Sequence, residues 1–436
     1  MKTALETENI ARYLRVYQYY KDLILEGKLS EETKLPSIRK GAMQFQVSRT
    51  TMENAYLLLA AEGYIISKPQ SGYYVTDIAK KKRERQQALA IEKQEAGAPI
   101  RYDFVTYRAA LESFRFDLWR RYMKSALRQD ERLLNYGEPQ GEQEFREVLC
   151  TYLQKERGVI CHPDQIVIGA GVQSLLHILC PLIKDRNRIV FHNREFIQGK
   201  AIFEDYGFEL TETGVEPYIY YISPSQMMPW GGSLPVAKRL ELIREAQKRD
   251  ILIIEDDYNS EFRYLQKPAP SLQGLAGGQG VVYLGTFSKM LLPSIRMSFM
   301  VLPPELLQAY ACRKDWYNQT ASKAEQIAIA QFIRDGHLAS QVRKSSKIHM
   351  AKATELKEIA EQVLGNAGNS WIEESGFRVY IQLKTEYTIL EVVQRAKERG
   401  LQVMPVPGKE KTIVLNCACV PTKEYLPAME MLAECL

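Results

Sequence analysis

Between residues 165 and 302 the chain carries six short apolar runs, at 165–168, 188–191, 218–222, 251–254, 281–284 and 299–302, separated by stretches with helical periodicity. Strands alternating with helices over such a distance predict a mainly parallel α/β sheet. A chain of 436 residues has room for about three folding units, and 45% apolar with 25% charged residues is ordinary globular composition. No window of about 18 apolar residues occurs and residues 1–10 hold no apolar segment, so neither a membrane-spanning helix nor a secretory signal is expected and the cytoplasm is the default. The seven cysteines (150, 161, 180, 312, 417, 419 and 435) contain no C-x-x-C pair, which suits free thiols in a reducing compartment. The five histidines have no zinc spacing, and no metal site is expected.

Charge is unevenly placed. Residues 1–82 hold 13 Lys and Arg against 9 Asp and Glu, which is +4 of the net +5, and leave the remainder nearly neutral. A basic N-terminal unit suits nucleic-acid contact, and a solvated surface accounts for the same excess. The break between the two parts falls at 77–99, where Lys80-Lys81-Lys82-Arg83 opens a polar run with few large apolar residues, as in a linker.

Within the first part, Tyr13, Val16, Tyr17, Tyr20 and Ile24 form one helical stripe. Pro36-Ser37 can start a second helix, and Ser48 is a good N-cap for a third whose buried stripe is Met52, Ala55, Tyr56 and Leu59. Arg49, Thr50 and Glu53 or Asn54 then face outward from its first turns, the end that a recognition helix presents to base edges and phosphates. Residues 63–68 and 72–75, joined by Pro69-Gln70-Ser71-Gly72, read as a hairpin, or wing. Periodicity alone leaves DNA binding and protein docking both open. In order and spacing, Leu35-Pro36-Ser37-x-Arg39, Val47-Ser48-Arg49-Thr50-Thr51, Glu62-Gly63-Tyr64 and Gly72-Tyr73-Tyr74-Val75 resemble the winged helix-turn-helix of the GntR regulators. That resemblance implies that Arg39, Ser48, Arg49 and Thr50 contact bases or phosphates of double-stranded DNA, and that Gly72 lets the wing approach the minor groove. Lys40-Gly41-Ala42 departs from the family's usual Arg-Glu-Leu-Ala; a helical glycine there is expected to cost up to about 1 kcal/mol relative to alanine.

The second part carries chemistry. Lys289 follows an apolar strand and has Phe287, Met290 and Leu291 as neighbours, a setting that lowers a lysine pKa and favours Schiff-base formation. Thr286 and Ser288 before it, with Arg296 seven residues after, could hold a phosphate dianion. Upstream, the run 251–254 ends in Glu255-Asp256-Asp257-Tyr258, where a carboxylate could keep a pyridinium nitrogen protonated. The turn Gly169-Ala170-Gly171 leads into Val172-Gln173, a place for phosphate on backbone N–H groups.

Taken in order, the Gly turn, strand-end Asp and Ser-Lys with Arg at +7 resemble the fold-type I aminotransferases, and the whole chain resembles the MocR subfamily of GntR regulators, which includes the GabR-type proteins. Asn135-Tyr136-Gly137-Glu138-Pro139, Tyr221-Ile222-Ser223-Pro224-Ser225 and the stretch from Ile254 to Tyr264 are further matches. The resemblance implies a multidomain chain: a winged helix-turn-helix over 1–76, a linker over 77–99, and over 100–436 an α/β fold-type I, PLP-dependent aminotransferase-like domain for effector binding and dimerisation. It further implies that Lys289 forms the Schiff base with pyridoxal 5'-phosphate, Asp256 partners the pyridine nitrogen and Tyr258 bonds the ring hydroxyl. Thr286, Ser288, Arg296 and the amides of Val172 and Gln173 would bind the phosphate, Phe196 would stack on the ring, and Tyr136 would reach the phosphate from the partner subunit. The implied assembly is a head-to-tail homodimer with swapped DNA-binding units, and the implied role a cytoplasmic transcription regulator that senses an amine or pyridoxal phosphate itself.

Departures from the family pattern bear on the effector. Val414 stands where a carboxylate-gripping arginine is usual, Gln198 where a second is, and Pro224-Ser225-Gln226-Met227-Met228-Pro229 replaces Pro-Ser-His-Gln-x-Pro. An apolar side chain offers no bidentate fork. The pocket is therefore expected to keep pyridoxal phosphate without recognising a simple α- or γ-amino acid in the usual way. The alternatives are an active aminotransferase with an appended DNA-binding domain and a cofactor-free dimerisation scaffold.

Overall fold

The computed structural model describes residues 12–77, 99–106, 108–192, 196–211, 216–225, 232–258, 260–262 and 269–436. The chain divides into two units, Met1–Gly97 and Ala98–Leu436; nearly all of the expected linker lies outside the described residues.

In the first unit, Ser37 and Ser48 are extended residues whose hydroxyls accept the amides of Lys40 and Thr51, at 3.3 and 3.1 Å, so that a helix begins after each. The elements are α1 (Arg12–Leu25), α2 (Ile38–Phe45), α3 (Arg49–Ala61), β1 (Ile65–Lys68) and β2 (Gly72–Val75). Val16, Tyr17, Tyr20 and Ile24 of α1 meet Met52, Ala55, Tyr56 and Leu59 of α3 in one core. Gly41 does not interrupt α2: a Cβ there would lie 2.3 Å from Cε of Met52, so the missing side chain makes room for α3. The hairpin pairs Lys68 with Gly72, and Gly72 takes a positive φ of 113° that favours glycine.

The second unit opens with β3 (Tyr102–Asp103), and its large sheet contains β4 (Ile166–Gly169), β5 (Arg188–Phe191), β6 (Glu209–Leu210), β7 (Ile219–Ile222), β8 (Leu252–Asp256), β9 (Val281–Thr286) and β10 (Ser298–Val301), in the order β4-β10-β9-β8-β7-β5-β6. Strands β5 to β9 pair in parallel, whereas β10 runs antiparallel to both β4 and β9. All residues of β4, β7 and β10 are buried, as expected for strands covered on both faces. Each of the six apolar runs coincides with a strand to within one or two residues. A second, antiparallel sheet was not foreseen: β11 (Gly368–Ile372), β12 (Arg378–Leu383), β14 (Met404–Pro405) and β15 (Thr412–Asn416), ordered β11-β12-β15-β14, with β13 (Leu401–Gln402) pairing β3 beside it. It packs on the 28-residue helix His337–Leu364. No helix among the described residues is long and apolar enough to cross a membrane.

Candidate functional site

Open α/β sheets bind ligands at the carboxyl ends of their parallel strands. Here those ends carry Gly169 on β4, Ser223 after β7, Asp256 on β8 and Thr286 on β9, and the antiparallel β10 brings Ser298 to the same edge by pairing with both Gly169 and Thr286. They open on a cavity of about 380 Å³ lined by Val172, Gln173, Phe196, Asp256, Tyr258, Thr286, Ser288, Lys289 and Arg296, nine of the ten residues expected to contact a cofactor. The tenth, Tyr136, is fully exposed and not part of its wall.

Three consecutive acids take three tasks. Glu255 is wholly buried and accepts the amides of Leu272 and Gln273, at 2.8 and 2.9 Å, at the start of the helix Leu272–Leu275. Asp256 faces the cavity, and its Oδ2 accepts the Tyr221 hydroxyl at 2.9 Å. Burial pushes the Asp256 carboxyl up to about 6, the Tyr221 hydrogen bond opposing the shift. Asp257 turns the other way, accepting Nε of the buried Arg157 at 2.8 Å and the Tyr283 hydroxyl. Burial works to raise Asp257, but the Arg157 charge and these hydrogen bonds hold it below the usual carboxylate range.

Lys289 sits in the turn of helix Phe287–Met290, 6% exposed, with Nζ 4.0 Å from the Tyr258 ring centroid and 4.9 Å from that of Phe377. Behind Phe377, 4.4 Å between centroids, lies His349, which burial drives down to about 4 and so keeps neutral at pH 7. Also on the cavity wall, Nη1 of Arg296 donates to Ser288 Oγ at 3.1 Å, and Thr286 Oγ1 accepts both the Ser288 amide and the Ser298 hydroxyl. Gly171, at φ 98°, precedes the helix Val172–Leu179; a Cβ on it would come within 2.8 Å of Arg296 Nη2. Glycine thus leaves open a cradle between a helix N-terminus and a guanidinium, both attractive to an anion. Phe196 is placed by Gly199, whose Cβ would fall 2.2 Å from its ring.

Residues that sequence reasoning passed over are Tyr221, Ser298 and Arg378. Arg378 also lines the cavity, and its signal was a charged residue inside the apolar pattern Phe377-Arg378-Val379-Tyr380-Ile381. Of the two positions where arginines are usual, Gln198 is exposed, and Val414 is buried with Tyr380 and Val406; neither lines the cavity. Residues 226–229 of the altered Pro-Ser stretch lie outside the described residues.

In the first unit, Arg39, Ser48, Arg49 and Thr50 are all exposed, the last three at the N-terminal turn of α3, and Gly72 opens the second strand of the wing.

Two family models match: "Bacterial regulatory proteins, gntR family" over residues 12–75 and "Aminotransferase class I and II" over 224–432. Among curated relatives, the "Uncharacterized HTH-type transcriptional regulator YdeL" of Bacillus subtilis is 34% identical over 92% of this chain and 90% of its own. The "Probable rhizopine catabolism regulatory protein MocR" of Rhizobium meliloti is 29% identical over 78% and 75%, and the "HTH-type pyridoxine biosynthesis transcriptional regulator PdxR" of Corynebacterium glutamicum is 26% identical over 87% and 85%. Similar solved structures are a kynurenine aminotransferase of Pyrococcus horikoshii (19% identity, TM-score 0.67, 81% of this chain and 93% of that one) and the α-aminoadipate aminotransferase LysN of Thermus thermophilus (22%, 0.67, 82% and 96%). At such identities the structures establish the fold.

Proposed function

Because the chain belongs to the GntR family of HTH-type transcriptional regulators, in the MocR-type group whose members carry an aminotransferase domain, we propose that it reads operator DNA with α3 and the wing and senses an amine, or pyridoxal phosphate itself, in the cavity at Lys289. The observation that carries this reading is the convergence of Lys289, Asp256 and Arg296 on one cavity beside the Gly171 turn. Pyridoxal phosphate fits those residues, since the cradle that a Cβ at Gly171 would fill suits a phosphate and an acid lies at a strand end for the ring nitrogen. When bound, it supplies an aldehyde that condenses with primary amines and a ring that draws electrons from the product.

In this reading Arg296, Ser288, Thr286 and the Val172 and Gln173 amides hold the phosphate, Asp256 keeps a proton on the ring nitrogen, and Tyr258 bonds the ring hydroxyl. Phe196 covers one face of the ring, and Lys289 presents the amine. Tyr136 is proposed to complete the site of a partner subunit in a homodimer; its full exposure, close to a largely exposed Leu134, supports that role. The setting proposed is the cytoplasm.

The test is the visible absorption of the full chain titrated with pyridoxal phosphate. A band that borohydride removes, and that Lys289→Ala lacks, is the expected result; a parent protein without such a band would overturn the cofactor reading and leave DNA binding standing. DNA contact has its own readout. Arg49→Ala is expected to weaken binding to duplex DNA and to reduce the slope of log affinity against log salt by about one, the signature of a lost phosphate contact. An unchanged slope and affinity would remove Arg49 from the interface.

A further inference from the structure

A second cavity, of about 400 Å³, shares no lining residue with the one at Lys289. Three segments of the second unit meet around it: residues 108–112, the helix His337–Leu364 through Lys352, and the turn 418–423 that follows β15. Hydrogen bonds tie the chain leading into the first segment to the third. Asn416 Nδ2, at the end of β15, donates to the Val105 carbonyl at 2.8 Å, and the Cys419 thiol donates to the Thr106 carbonyl. Asp103 Oδ1 accepts the amides of Val105 and Thr106, at 2.8 and 3.0 Å, and so holds the bend between them. Just past the first segment, the Ser113 carbonyl accepts Nε2 of Gln341, on the long helix, at 2.7 Å. The walls are thus joined by the fold itself.

Four charged side chains line this cavity, Arg108, Lys352 and Lys423 against Glu112. Lys352 is paired with Glu112, Nζ 2.8 Å from Oε1, and its side chain is only 13% exposed. Arg108 and Lys423 are exposed and make no ion pair among the described residues. Burial pushes the Cys419 thiol up to about 11, against the pull of the Arg108 charge, so the thiol stays neutral at pH 7. Three bases less one acid leave a charge of +2. Ala109, Ala110, Ala418 and Val420 form much of the remaining wall, and an apolar concave wall focuses the field of the cations that line it. A monocarboxylate would answer only one of the two unpaired cations. A phosphate carries about −1.5 to −2 at pH 7, and its oxygens match an arginine fork and an ammonium together. We propose that this cavity is a second ligand site, which takes a phosphate dianion, free or as the monoester of a small molecule, on Arg108 and Lys423. The proposal is independent of the cofactor reading.

The test is calorimetric titration of the full chain with glycerol 3-phosphate, inorganic phosphate and acetate at constant ionic strength. The cradle at Arg296 also attracts phosphate, so the titrations are repeated in Arg296→Gln, which is expected to keep one phosphate site. Adding Arg108→Gln and Lys423→Gln to that variant should weaken the remaining site tenfold or more, each substitution alone giving part of the loss. Glu112→Gln, which removes the opposing charge and frees Lys352, should tighten it about threefold or more. Lys248→Gln, which lines neither cavity, should leave it within about twofold. Acetate should bind at least fivefold more weakly than either phosphate. A tighter ester than inorganic phosphate identifies an organic phosphate as the ligand, and equal affinities identify free phosphate; both support the site. Urea midpoints followed by tryptophan fluorescence should not change in the Arg108 and Lys423 variants, whose side chains are exposed. Loss of all phosphate binding in Arg296→Gln would show that the cradle at Lys289 is the only anion site and would overturn the proposal. So would an unchanged affinity after both Arg108 and Lys423 are replaced, or acetate binding as tightly as phosphate.

Discussion

Asp257→Ala is expected to destabilise the second unit by about 3–5 kcal/mol, the range for removing one partner of a buried ion pair and leaving the other charge unpaired. Both side chains are almost wholly out of water, with Arg157 Nε 2.8 Å from Asp257 Oδ2. Alanine would also strip the buried Tyr283 hydroxyl of its acceptor. All four tryptophans lie beyond residue 118, so tryptophan fluorescence in a urea titration of the full chain follows this unit alone. The double variant Arg157→Leu with Asp257→Leu should lose less than the single one, because no charge is then stranded. A loss below about 1 kcal/mol in Asp257→Ala would show that the pair is not what holds this corner. Acid dependence follows from the same contact. Asp257 is held below its ordinary 3.8, so its contribution is present above that pH and is lost as pH falls through the folded value. Asp257→Ala should therefore be less acid-sensitive below about pH 4 than its parent.

How far the sequence anticipates this site depends on the kind of contact. Helix stripes and buried strands have local periods, so Met52, Ala55, Tyr56 and Leu59 were legible as a core face and the six apolar runs as strands before any pairing was known. Asp256 and Lys289 were legible because they sit at a strand end or in the turn after it, and Arg296 by its spacing seven residues beyond Lys289. The helix-propensity cost of Gly41 follows from sequence, whereas its close approach to Met52, the reason a side chain is missing there, is set by tertiary packing. The second sheet was missed because its strands are antiparallel partners drawn from 368–416 around an intervening helix, without the strand-helix alternation that marks the first. Arg378 was missed for the related reason that its register against Asn416, and not its neighbours in sequence, places it at the cavity. Residues 255–257 were read as one acidic strand end; strand alternation and the position of Arg157 divide them into a helix-start acceptor, a cavity carboxylate and an ion-pair partner.

That division makes neighbouring substitutions behave oppositely. Asp256→Asn should leave the cofactor-free protein at least as stable as its parent at pH 8, where Asp257→Ala is far less stable. The sign follows from the carboxyl lying at about 6, above its ordinary 3.8. A carboxyl raised on folding contributes stability only while protonated, and that contribution is lost as pH rises through 6, so the ionised Asp256 of the parent costs the fold stability at pH 8. Removing the charge can return up to about 3 kcal/mol, less where cavity water already solvates the carboxylate. Asparagine keeps an acceptor for the Tyr221 hydroxyl. The same change should weaken pyridoxal phosphate binding roughly ten- to hundredfold, the worth of one hydrogen bond to a charged group. Parental affinity should itself decline as pH drops from 7 through 6, and Asp256→Asn should lack the part of that decline due to this carboxyl. Urea titrations at pH 5 and 8, paired with cofactor titrations at the same values, read both effects. A variant that loses stability at pH 8, or that binds the cofactor as tightly as its parent, would place the ring-nitrogen partner elsewhere. The expected pattern is instead that of a group kept charged against the interests of the fold, which is where binding and catalytic residues concentrate.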